Sequence, residues 1–185
     1  VQAYARAGFT SFDVADHYGS AEEIAGQFAA TPGAPRAELL TKWVPKPGPL
    51  TREDVREAVD RARSRLRVAR IDLLQFHAWS YPDPAWLDAL LWLDELRREG
   101  LIGHLGLTNV DTAHLRIVLS SGIPVVSNQV SLSLLDRRAL GAMTTLCRER
   151  GVKLLAYGTV AGGLLTERWL GKPEPDQEAP RTWSE

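Results

Sequence analysis

The chain has 185 residues, 22 Lys plus Arg against 23 Asp plus Glu, and 44% hydrophobic residues, the size and composition of one folded domain with a sizeable core. This near-neutral balance argues against nucleic acid or an anionic membrane surface as partner, and no apolar run reaches the roughly 18 residues of a membrane span. A single cysteine, Cys147, has no second thiol to pair with, which fits a cytoplasmic, reducing setting.

The sequence opens at Val1 with no initiator methionine, on what reads as the last turns of a helix over 1–7 stopped by Gly8, so we expect a partial chain. Residues 9–14 read as a short buried strand, and 16–19 as the loop that leaves it. Ser20 and Glu23 have the spacing of a capping box, followed by an apolar face of Ile24, Ala25 and Phe28. The strand over 38–44 is cut off by Pro45, Pro47 and Pro49, which puts Lys42 near its end. Thr51 and Asp54 then cap a helix to about Arg67, with Val55, Val59, Ala62 and Leu66 on one stripe.

A strand over 70–77 ends in His77, and a helix over 84–99 starts with Pro84 at its first position and stops before Gly100. The strand over 101–107 runs into Thr108 and Asn109, and Asp111 caps a helix to about Ser121. The strand over 124–129 ends at Gln129, and Asp136 is expected to cap a helix to Arg150. A last strand, 152–157, ends at Tyr157, and a proline-rich tail over 171–185 reads as loop or disorder outside the folded domain, 1–170.

Regular alternation of strand and helix is the pattern of a parallel α/β sheet. A doubly wound sheet that binds a dinucleotide carries a glycine-rich turn after its first strand, and no G-x-G-x-x-G occurs here. Instead Asp13, Lys42, His77, Asn109, Gln129 and Tyr157 stand at successive strand ends, where a (β/α)8 TIM barrel assembles its active site. A whole barrel needs eight strands and about 250 residues, so the expectation is an incomplete one with about two strands missing.

Asp13, Tyr18, Lys42 and His77 come from three successive strand ends and would form one cluster. A phenol is a reluctant proton donor, with an unperturbed pKa of about 10. Lys42 beside Tyr18 would lower that value, Asp13 would keep the lysine charged, and His77 could position a substrate oxygen or share the proton. Such a group suits reduction of a carbonyl. No side chain delivers hydride, so a nicotinamide cofactor would lie across the rim. Asn109 and Gln129 would bind its carboxamide and Tyr157 would stack on its ring, with Trp79 and Tyr81 as walls of the substrate pocket.

The motifs Asp13-x-Ala15-x-x-Tyr18-Gly19-x-x-Glu22, Thr41-Lys42, Leu73-Leu74-Gln75-Phe76-His77, Gly106-Leu107-Thr108-Asn109, Ser127-Asn128-Gln129 and Leu155-Ala156-Tyr157, with Gly162-Gly163-Leu164-Leu165 after them, resemble the aldo-keto reductases in order and spacing. The resemblance covers residues 1–170. It implies an NADPH-dependent carbonyl reductase with the tetrad Asp13, Tyr18, Lys42 and His77. It also implies Thr108, Asn109 and Gln129 on the nicotinamide amide and Tyr157 on its ring. The family's first strand, and the last strand with the segment that binds the adenosine 2′-phosphate, have no counterpart in these motifs.

Other readings stand beside this one. Asp13 and Lys42 could be a structural ion pair, and His77 a hydrogen-bonded core residue. Asp16 and His17 could ligate metal in a barrel hydrolase. A truncated, inactive binding protein is the third alternative. His104, His114, Trp43, Trp86 and Trp92 read as structural, and Cys147 as a small buried residue.

Overall fold

In the computed structural model, which describes residues 1–173, six strands form one parallel sheet in sequential order. They are β1 (Ser11–Asp13), β2 (Glu38–Trp43), β3 (Ile71–Phe76), β4 (Ile102–Thr108), β5 (Val125–Ser131) and β6 (Lys153–Tyr157). The helices are α1 (Gln2–Arg6), α2 (Ala21–Ala29), α3 (Arg52–Leu66), α4 (Ala85–Arg98), α5 (Thr112–Ser120) and α6 (Ala142–Arg150), followed by two short 3-10 turns. All but three of the residues assigned to the proline-rich tail lie outside the described residues.

Each strand's side chains alternate between two faces. Leu39 and Trp43 of β2, Leu74 and Phe76 of β3, and Leu105 and Leu107 of β4 share the outer face and pack on Val55, Val59 and Leu66 of α3, Leu90 and Leu93 of α4, and Leu115 of α5. The inner face is more polar. Lys42, Gln75, Gly106, Ser127 and Lys153 form one register row, with Asp13, Leu40, Leu73 and His104 one pleat earlier. Gly106 leaves room in that row for Ser127, whose Oγ would stand 2.5 Å from a Cβ there and would have to shift.

The sheet is curled. Neighbouring strands lie about 4.8 Å apart, so β1 and β5 would be roughly 19 Å apart if it were flat, yet Gln129 Nε2 donates to Asp13 Oδ2 at 3.0 Å. The expected incomplete (β/α)8 barrel is therefore present as a curled sheet of six parallel strands with helices outside.

Local expectations succeed where side chain and backbone agree. The Thr51–Asp54 capping box closes both ways, and Asp111 accepts from the N–H groups of Ala113 and His114. Three do not. Ser20 makes no side-chain cap bond, because its φ of −89° and ψ of 15° depart from the extended backbone of a capping residue. In α2 the buried positions are Glu22, Ala25, Gly26 and Phe28, whereas Ile24 faces solvent. The last long helix starts at Ala142 after Gly141 with φ +83°, and the Asp136 carboxylate is engaged by Arg138 in the preceding loop. Pro84 is the capping residue of α4 rather than its first helical one.

Candidate active site

The C-terminal ends of the strands bring the four proposed working residues together. Lys42, 2% exposed, sends its ammonium inward from β2 to Asp13 Oδ2 at 2.5 Å and the carbonyl of Val14 at 3.0 Å. The ammonium also lies 5.4 Å from the centroid of the Tyr18 ring. Tyr18 follows β1 in a tight turn, with its N–H on the carbonyl of Ala15, and its ring is half-exposed toward the open end of the sheet. His77 is buried at the end of β3, with its N–H on the carbonyl of Trp43, and Trp79 covers its ring at 4.6 Å between centroids.

The electrostatics correct one expectation. The Tyr18 phenol is held above its ordinary value, first by burial and then by the negative charge of Asp13 and the nearby Tyr157. The net shift is upward although the Lys42 ammonium lies 5.4 Å from the ring centroid, because that charge is matched by Asp13 at 2.5 Å. His77 is pushed below the ordinary imidazole value, first by burial and then by His17 and Lys42. At neutral pH Tyr18 thus keeps its proton and His77 is uncharged.

The neighbouring strand ends carry the second group. Asn109 has φ +56°, a left-handed conformation that asparagine tolerates better than most residues, and its N–H bonds the carbonyl of Gln129 at 2.7 Å. Its Nδ2 lies 3.4 Å from His77 Nε2, and its Oδ1 accepts from the Tyr157 hydroxyl at 3.0 Å. Thr108, 3% exposed, has an Oγ1 with no hydrogen-bond partner among the described residues. This unpartnered hydroxyl, with the Asn109 and Gln129 amides and the half-exposed Tyr157 ring, fits a carboxamide-bearing aromatic ring such as nicotinamide.

Trp79 borders a cavity of about 200 Å³ between the β2–α3 and β3–α4 loops. Tyr81 lies elsewhere, stacked on His114 at 4.0 Å and edge-on to Trp86. Asp16 bonds the N–H of Val44 and His17. Among the described residues no three His, Cys, Asp or Glu side chains form a metal-holding group, and no helix is long and apolar enough to cross a membrane.

Two buried polar residues escape strand-end reasoning. Gln75, fully buried, donates to Asp13 Oδ1 at 2.7 Å; its signal is the inner row it shares with Lys42. Glu22 accepts from Thr41 Oγ1 at 2.6 Å and from Arg65 Nη1 at 3.3 Å. Its sequence signals are its place in the motif that begins at Asp13 and a carboxylate among the buried positions of an amphipathic helix.

The family model for the aldo/keto reductase family matches residues 1–184. Among curated proteins the chain is 33% identical over 121 residues to the NADH-specific methylglyoxal reductase of Escherichia coli, covering 63% of this chain and 36% of that protein. It is 27% identical over 187 residues to the chloroplastic pyridoxal reductase of Arabidopsis thaliana, covering 91% and 51%. Among solved structures, an aldo-keto reductase from Bacillus halodurans in its apo form superposes with a TM-score of 0.75 at 28% identity, covering 94% of this chain and 57% of that one. The glycerol dehydrogenase of Gluconobacter oxydans gives 0.79 at 26% identity, covering 95% and 57%. The chain spans about a third to a half of the length of these two curated relatives. With the family model matched along nearly its whole length, the chain belongs to the aldo/keto reductase family.

Proposed function

We propose that the protein reduces an aldehyde or ketone to the alcohol, with NADPH as the source of hydride and Tyr18 as the proton donor. The observation that carries this reading is the convergence of Asp13, Lys42, Tyr18 and His77 at adjoining strand ends.

Bound nicotinamide supplies the hydride that adds to the carbonyl carbon. Tyr18 then gives its proton to the oxygen as negative charge develops there, a contribution typically of 10²–10⁴ fold. Because its phenol is held in the protonated form, the donor is loaded at neutral pH. The Lys42 ammonium beside the ring offsets the phenolate left behind, and Asp13 keeps that ammonium charged and aimed. His77, uncharged, hydrogen-bonds the substrate oxygen and orients it toward Tyr18. Thr108, Asn109 and Gln129 hold the cofactor's amide, Tyr157 stacks on its ring, and Trp79 flanks the substrate. A cytoplasmic location goes with this reading, supported by a single free, buried thiol.

The name of the Escherichia coli relative includes NADH specificity, so both cofactors enter the test. Tryptophan fluorescence is followed during titration with NADPH and with NADH, and an aldehyde is then added while nicotinamide absorbance is monitored. Quenching with NADPH followed by aldehyde-dependent loss of absorbance is expected. A folded sample with neither signal contradicts the proposal.

A further inference from the structure

Among the described residues the carboxylate of Glu22 is the one buried charge near the catalytic corner that the reaction as proposed does not use. It is 1% exposed and sits in the first turn of α2, four residues after Tyr18. Its Oε1 accepts from Thr41 Oγ1 at 2.6 Å, and Thr41, itself fully buried, is the residue before Lys42. Its Oε2 accepts from Arg65 Nη1 at 3.3 Å, and the same nitrogen reaches the carbonyl of Asp16 at 3.4 Å. One carboxylate thus joins α2, β2 and α3, and through Arg65 it reaches back to the loop that carries Tyr18.

Two further observations show why such a fastening is needed. Ser20 provides no side-chain cap, so the first turn of α2, and Tyr18 just before it, is not held by the usual local device. One turn after Glu22, Gly26 lets α2 press directly on the backbone of α3: a Cβ there would meet Arg65 O at 2.3 Å and Leu66 C at 2.6 Å. That approach brings Glu22 within reach of Arg65, and a buried carboxylate persists only when it is paired in this way.

We propose that Glu22 is a positioning residue: by binding Thr41 and Arg65 it fixes the 16–19 loop against β2, so that the Tyr18 ring stays beside the Lys42 ammonium and its hydroxyl at the reacting oxygen. The inference rests on the reductase reading for its kinetic consequence, but not for its structural one. Glu22 touches no substrate and acts through Tyr18. Misplacing a catalytic group by about 1 Å costs on the order of 10²-fold in rate.

The test compares Glu22→Ala, Glu22→Gln and Thr41→Val with the parent. Glutamine keeps an oxygen for Thr41 and serves as the conservative rescue. Folding is checked by circular dichroism. Tyr18 ionisation is read by ultraviolet difference titration against Tyr18→Phe, and carbonyl reduction by kcat and KM separately. In Glu22→Ala the Tyr18 phenol is expected to move down toward its ordinary range as the loop loosens and the ring gains solvent. kcat is expected to fall about 10²-fold with KM little changed. Glu22→Gln recovers most of both, and Thr41→Val shows a smaller loss. If Glu22→Ala does not fold, the titrations of Glu22→Gln and Thr41→Val decide the matter. A Tyr18 titration unmoved in every folded variant overturns the proposal. Absence of carbonyl reduction in the parent overturns the reductase reading instead, while the titration still judges Glu22.

Discussion

Gln129 Nε2 donates to Asp13 Oδ2 at 3.0 Å although the two residues stand on strands four places apart in the sheet. Their contact brings the proposed proton-handling corner and the proposed cofactor-binding strand ends into one site. Asp13 is the shared element, receiving Lys42 and Gln129 on one oxygen and Gln75 on the other.

Lys42→Met should keep the fold and remove the chemistry. Asp13 retains two amide donors and is about a third exposed, so the stability loss is expected to stay below the roughly 3–5 kcal/mol of breaking a fully buried pair. The phenolate formed at Tyr18 loses its neighbouring cation, and kcat for carbonyl reduction should fall by about 10²–10⁴ fold. Steady-state kinetics with a denaturation curve of the same sample separate the two effects.

Gly26→Ala weighs helix propensity against space. Alanine gains about 1 kcal/mol in a helix interior, whereas overpacking costs about 1–3 kcal/mol. The neighbours are backbone atoms of α3 at 2.3 and 2.6 Å, which cannot rotate away. A net loss of up to about 2 kcal/mol is expected from urea unfolding; a variant more stable than the parent would contradict the close approach.

Tyr81→Phe tests the aromatic cluster behind the site. The Tyr81 hydroxyl is buried with no partner among the described residues, and burial and then Asp111 push it up to about 12. Removing an unsatisfied hydroxyl while keeping the ring on His114 should leave stability unchanged or raise it by about 1 kcal/mol. A clear loss in thermal melting would mean that the hydroxyl is bonded.

The pH dependence follows from two opposite shifts. His77 is depressed in the folded protein, so between its folded value and about 6.5 the unfolded chain binds more protons, and stability falls with acidification through that window. Tyr18 is raised, so the stability it contributes is present below about 10 and is lost as pH rises through its folded value. The reductase rate should accordingly hold across neutral pH and decline on the far alkaline side as Tyr18 loses its proton. A decline beginning below pH 9 in the parent and absent in Tyr18→Phe would contradict the raised phenol.

The strand order and the rim residues were legible where a polar residue follows an apolar run, as at Phe76-His77 and Leu107-Thr108-Asn109. Caps were legible where one side chain determines them, as with Thr51 and Asp111. Ser20 and Asp136 carry the same residue chemistry but have other backbone or ion-pair commitments, which only tertiary structure sets. Direction of charge was equally hidden. Lys42, Asp13 and Tyr18 could be grouped from their positions, but whether the lysine or the carboxylate dominates at the phenol depends on burial and pairing. Glu22 and Tyr81 show the same limit: one is a charge inside an apolar stripe, and the other an aromatic turned into the core instead of the pocket.

The central claim is that Tyr18 donates the proton in a nicotinamide-dependent carbonyl reduction. It is tested most directly by Tyr18→Phe, which keeps the ring beside Lys42 and deletes the hydroxyl. With NADPH and an aldehyde the account predicts that kcat falls by about 10²–10⁴ fold, while the fluorescence titration with NADPH is unchanged. A Tyr18→Phe protein that reduces the aldehyde at the parent rate would contradict it.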